Sequence, residues 1–164
     1  MKNQTATMND LPAKTRAMSI DALNQALADL SDLYSQAKQA HWNVRGPSFF
    51  TLHKLFDEVA ESAEEPIDDI AERVVQLGGI AQGTVRMAAK NTALSEFEVS
   101  DKAADTDPLA YAKALAAQFA ACAKSIRAVI DTTANAGDAD TADLFTGVSR
   151  ALDKSLWFIE AHMR

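Results

Sequence analysis

Two of the three histidines and a run of carboxylates fall within one stretch of the chain, from Gln39 to Gly79. Imidazole and carboxylate together form a donor set suited to Fe(II), and equally to zinc or manganese. His53 and Asp57 stand four residues apart, as do Asp68 and Glu72, so each pair shares a helix face. Turning about 100° per residue from His53 places Asp57 at about 40°, Asp68 at about 60° and Glu72 at about 100°. The apolar residues Phe49, Leu52, Phe56, Val59, Ala63, Ile67, Ile70 and Val74 fill the arc from about 240° to about 340°. The polar arc therefore borders a buried stripe, where ligands would be half-shielded. Glu61 and Glu64 lie in the same arc, and a solvated carboxylate face produces the same pattern. Geometry alone leaves both readings open.

Helices must carry these residues. Ser19 is suited to cap a first helix over about 19–44, with a stripe of Ile20, Leu23, Leu27, Leu30, Tyr34, Ala37 and His41. His41 continues that stripe, as a satisfied core histidine or as a ligand. Gly46-Pro47 ends the helix, and Ser48 opens a second one over about 48–77 that stops at Gly78-Gly79. Pro66 interrupts it on paper: it lacks a donor and crowds the Ser62 carbonyl, which predicts a kink just before Asp68. Residues 80–106 form a long connection with a short helix near 83–90, enough chain to cross from one end of a bundle to the other. A third helix is expected over about 107–134, started by Asp107-Pro108, then a turn at Asn135-Ala136-Gly137. The fourth, over about 140–162, carries Leu144, Val148, Leu152, Leu156 and Ile159 on one face.

Composition agrees with an all-α domain. A chain of 164 residues with 48% apolar content supplies one core, and six glycines with four prolines suit few turns. The single cysteine, Cys122, excludes an internal disulfide and falls in phase with Leu115, Phe119, Ile126 and Val129, as a core thiol would. The net charge of −7 disfavours nucleic acid as the partner of the folded body and favours cations. Residues 1–18 read as a flexible tail, with Lys2, Lys14 and Arg16 set against Asp10. They lack the apolar segment of a secretory signal, and no run reaches membrane-spanning length, so a soluble cytoplasmic protein is expected.

The run KQAHWNVRGPSFFTLHKLFDEVAE, followed by DDIAERVVQLGG and later DTADLFTGVSRALDKSLWFIEAH, resembles the Dps family of mini-ferritins. The resemblance rests on H-W-N-x-R-G-x-x-F-x-x-x-H-x-x-x-D with the D-x-x-x-E pair, and covers nearly all the chain beyond residue 18. It implies a ferritin-like four-helix bundle with a long crossover, assembled into a hollow dodecamer. The implied activity is that of a ferroxidase: Fe(II) is oxidised by hydrogen peroxide or dioxygen and stored as ferric mineral, which protects DNA. The implied iron ligands are His41, His53 and Asp57 of one subunit with Asp68 and Glu72 of its two-fold mate. Trp42 would lie near the iron and intercept oxidising species; packing is its plainer role.

Spacing bears on that ligand set. Ferritin-like sites within one bundle use Glu-x-x-His, which this sequence lacks. His53 and Glu72 lie about 28 Å apart along a straight helix, whereas a two-metal site is about 4 Å across. Antiparallel copies about a two-fold axis would bring the two ends together. Asp138, Asp140 and Asp143 open the fourth helix, where they serve as caps or, by the resemblance, line a three-fold pore that funnels Fe(II). His162 and Arg150 carry no assigned role. Two rivals stand beside the ferroxidase: a DNA-compacting stress protein, for which the tail has few lysines, and a structural helical oligomer with solvated carboxylates.

Overall fold

The computed structural model describes residues 6–164; Lys2, part of the expected tail, lies outside them. Among the described residues six helices follow in order: α1 (Ala13–Asn43), α2 (Phe49–Gln76), α3 (Val85–Asn91), α4 (Asp101–Thr106), α5 (Ala110–Asn135) and α6 (Ala139–Ala161). No strand occurs among the described residues. The four long helices form a bundle of two hairpins, α1 with α2 and α5 with α6, in which α1 also packs on α5 and α2 on α6. The expected all-α bundle with a long crossover is therefore what the chain forms.

The heptad-like stripes account for this packing. Leu23, Leu27, Leu30 and Leu33 of α1 meet Leu52, Phe56 and Ile70 of α2, Leu115, Phe119 and Ile126 of α5, and Phe145, Leu152 and Ile159 of α6, all buried in one cluster. Each such side chain contributes about 1.5–3 kcal/mol by leaving water. Cys122 sits in this core as expected, fully buried. Burial, with smaller contributions from Asp29 and Asp32, pushes its thiol up to about 12, so it is inert as a nucleophile.

Three expectations change. First, α1 begins at Ala13, ahead of Ser19, because Pro12 opens the helix and its carbonyl accepts from the Arg16 N–H at 3.0 Å. Ser19 is fully buried inside the helix and caps nothing. The Thr7 hydroxyl donates to the Gln76 carbonyl at 3.4 Å and the Thr15 hydroxyl to that of Ala136 at 3.0 Å, so these parts of the expected tail bond to the bundle.

Second, the interruption expected at Pro66 does not end α2, which continues through it to Gln76. The missing hydrogen bond is offset by packing on either side, where Ala63 and Ile70 are fully buried and Ser155 donates to the Ser62 hydroxyl at 3.1 Å. The helix then stops as its glycines require. Gly78 takes φ +84°, its N–H donates to the Val75 carbonyl, and the Gly79 N–H donates to that of Val74, both at 2.9 Å. A β-carbon on Gly79 would lie 2.8 Å from Val74 Cγ1 and 2.9 Å from Ile20 Cγ2, so no larger residue fits without movement.

Third, the crossover holds α4 as well as the expected α3. Thr84 caps α3 by accepting from the Met87 N–H, and Ser100 caps α4 by accepting from that of Ala103. The fully buried Asp29 fastens this segment to α1: its Oδ1 accepts from the Ala93 N–H at 2.8 Å and from Gln25 at 3.0 Å. Gln36 and Gln118 both donate to the Ser95 carbonyl at 3.1 Å.

Candidate metal centre

The C-terminal end of α1 and the N-terminal end of α2 meet at a short turn, residues 44–48. Arg45 ties that turn to α4, pairing with Asp105 at 2.6 Å and donating to the Asp101 carbonyl at 3.2 Å. Beneath the turn His41 and His53 face each other. Their rings stack with centroids 3.8 Å apart and planes 22° from parallel. His41 Nδ1 lies 2.7 Å from the His53 carbonyl, and His53 Nδ1 lies 2.9 Å from the His41 carbonyl.

A carbonyl only accepts, so each Nδ1 carries the proton. In the neutral imidazole each Nε2 is then an unprotonated donor of a lone pair. Metal-binding histidines are held in this way, with one ring nitrogen donating to a carbonyl and the other left for the metal. The chemistry of this pair therefore fits a divalent cation.

Asp57 stands at the same corner, its Oδ1 3.9 Å from His41 Nδ1. Lys38, one turn before His41, reaches across from α1 and forms an ion pair with that oxygen. The hydrogen bond from Lys38 is the main reason that the Asp57 carboxyl lies below its ordinary range, and the same bond raises Lys38. Asp57 is thus a carboxylate held by an internal cation. The spacing of three between Lys38 and His41 was legible, but nothing in α1 alone pointed to Asp57.

Phe49 departs from the expected buried stripe: it is 43% exposed, because it lies in the first turn of α2, and its ring leans on His53 with centroids 5.1 Å apart. Trp42 is 67% exposed, so packing inside this chain is not its role.

Asp68 and Glu72 lie on the far part of α2, both exposed, without a hydrogen bond or ion pair among the described residues. They do not reach the histidines, from which Glu72 is separated by about 28 Å of helix. Beside Glu72 a groove of about 460 Å³ is lined by Ala71, Val75, Gln76 and Ala81. Among the described residues, no three of the His, Cys, Asp and Glu side chains are arranged to hold a metal ion.

The three aspartates of α6 separate. Asp138 is 1% exposed; it accepts from the Thr141 N–H at 3.1 Å, from the Thr141 hydroxyl at 2.7 Å and from Arg73 at 2.9 Å. Burial works to raise its carboxyl, but Ser19, Thr141 and Arg73 together outweigh it and the net shift is downward. Asp138 is thus a helix cap and the partner of Arg73, turned away from solvent. Asp140, 86% exposed, lies 3.8 Å from Arg73. Asp143 borders a groove of about 330 Å³ with Glu65, Asp69 and Arg150.

A four-helix bundle with a long crossover connection is the architecture of ferritin-like proteins. The ferritin-like domain family indeed matches this chain over residues 20–164. The DNA protection during starvation protein of Agrobacterium fabrum is 44% identical over 158 residues, covering 96% of this chain and 95% of that protein. Among solved structures, DpsC from Streptomyces coelicolor superposes with a TM-score of 0.89 at 30% identity, covering 99% of this chain and 92% of that one. Mycobacterium smegmatis Dps superposes with a TM-score of 0.88 at 28% identity, covering 96% and 93%. The chain belongs to the Dps family.

Proposed function

We propose that this protein is a ferroxidase and iron store whose oxidation sites form between two subunits. The observation that carries this is the reciprocal bonding of His41 and His53, which leaves both Nε2 lone pairs free at a corner where Asp57 Oδ1 also lies 3.9 Å from His41 Nδ1. His41, His53 and Asp57, which do not form a metal site by themselves in one chain, are joined by the partner subunit's Asp68 and the partner subunit's Glu72 across a two-fold axis. Antiparallel α2 helices supply the missing half. Val75 and Ile80, exposed near Glu72, and Phe49 and Phe50, exposed near His53, give both ends apolar surface to bury.

Fe(II) is the substrate at this site. Two Fe(II) ions give up one electron each to hydrogen peroxide, which with two protons leaves as two waters. Dioxygen serves as an alternative oxidant. The ferric product is stored inside a dodecameric shell, and Trp42, exposed beside His41, intercepts oxidising species that escape. Relatives are named for DNA protection during starvation. Here protection follows from removing Fe(II) and peroxide together. With a net charge of −7, the chain has little attraction for phosphate, which disfavours DNA compaction as the main role.

The test is complementation between two inactive chains, one carrying His53→Ala and the other Asp68→Ala. Mixed dimers contain one doubly broken site and one intact site. Random co-assembly makes about half the dimers mixed, so about a quarter of all sites return. Rapid Fe(II) oxidation in the co-assembled mixture, absent from both parents, is the expected result. Parental activity in shells shown by mass spectrometry to be mixed would refute the shared site.

A further inference from the structure

Phe49 is placed by periodicity in the apolar stripe of α2, yet 43% of it is exposed and its ring contact is with His53. Side chains on a helix lean back over the residue four positions earlier, so the His53 imidazole rests on the Phe49 ring. The planes meet at 31°, and His53 in turn stacks on His41 at 3.8 Å. Each imidazole is otherwise held by a single hydrogen bond to a carbonyl of the facing helix. One bond fixes a direction but leaves the ring free to tilt about it; a second ring against its surface removes that freedom.

We propose that Phe49 is a positioning residue for the imidazole pair: its ring sets the plane of His53 and, through the stack, that of His41. The two Nε2 lone pairs are thereby held in fixed directions before any metal arrives. This rests on the metal-binding role given above to the two histidines. Phe49 does not touch the metal, and its effect is on affinity and ligand geometry.

The test uses the assembled protein with Co(II), a redox-stable probe of divalent metal binding. Phe49→Leu keeps the apolar bulk without a ring, and Phe49→Tyr keeps the ring. Co(II) should bind to the Leu variant about tenfold more weakly, with an altered visible absorption band, and to the Tyr variant within about twofold of the unmodified protein. Calorimetry and absorption give the two readouts, and native mass spectrometry checks assembly. Unchanged Co(II) binding by Phe49→Leu, with binding lost in His53→Ala, would overturn the role of Phe49 alone. Failure of Phe49→Leu to assemble, or equal weakening by Leu and Tyr, would overturn it too, by making Phe49 a packing residue. If His53→Ala binds Co(II) normally, the metal-site reading falls and this inference falls with it.

Discussion

Lys38 and Asp57 are joined by an ion pair across the α1–α2 interface, at the corner where the two imidazoles stack. An internal ammonium therefore occupies a carboxylate that a metal ion would use. A cation binding Asp57 meets the Lys38 charge already held at Oδ1, and so competes with it for the carboxylate.

Replacing Lys38 with Met should tighten Co(II) binding. The pair is partly solvated, so its strength is on the order of 1 kcal/mol and the gain about fivefold. Calorimetry in assembled protein measures it. Weaker binding by Lys38→Met would show that the ammonium organises Asp57 instead of competing for it.

Asp138 should govern the acid limb of stability. Its carboxyl is depressed in the folded protein, so its contribution is present above the ordinary carboxylate pKa and is lost as pH falls through the lower, folded value. Asp138→Asn should cost about 2 kcal/mol at neutral pH, less than the 3–5 kcal/mol of a fully buried pair, because Arg73 keeps some contact with water. The difference from the unmodified protein should shrink on acidification. Denaturant unfolding at matched subunit concentration tests this; a constant difference down to strongly acidic pH would contradict it.

Pro66 sits inside an unbroken helix, where it withholds a hydrogen bond from the Ser62 carbonyl. Pro66→Ala should restore that bond and stabilise the protein by about 1–3 kcal/mol. A higher unfolding midpoint with unchanged assembly is expected. A loss of stability would mean that packing of the proline ring outweighs its missing donor.

Asp140 and Asp143 remain exposed on the first turns of α6, while Asp138 is committed to Arg73. If the exposed pair attracts Fe(II), replacing both with Asn should slow iron uptake about two- to tenfold at low salt, and less as ionic strength rises. Stopped-flow absorbance of ferric product follows this. Equal rates at low salt would leave the pair no part in steering.

Much of this molecule was legible in one dimension. Apolar residues at helical spacing define the faces of α1, α2, α5 and α6, because a helix with one apolar stripe has one way to bury it. The spacing of His53, Asp57, Asp68 and Glu72 places them along one side of α2 and holds its two ends about 28 Å apart. Gly78-Gly79 marks the end of α2 because its carbonyls need a left-handed residue to close them.

Periodicity states which way a side chain faces but not which element it meets. Only the packing of α1 on α2 brings each His Nδ1 to a carbonyl twelve residues away, and Lys38 to a carboxylate nineteen residues away. Asp138 looks like its neighbours Asp140 and Asp143 in the sequence; Arg73, sixty-five residues earlier, takes it out of solvent. Pro66 signals an interruption by local rules, and the fully buried Ala63 and Ile70 around it carry the helix through. In each case the deciding partner lies on another helix or in the packed core, and its free energy exceeds the local preference that the sequence expresses.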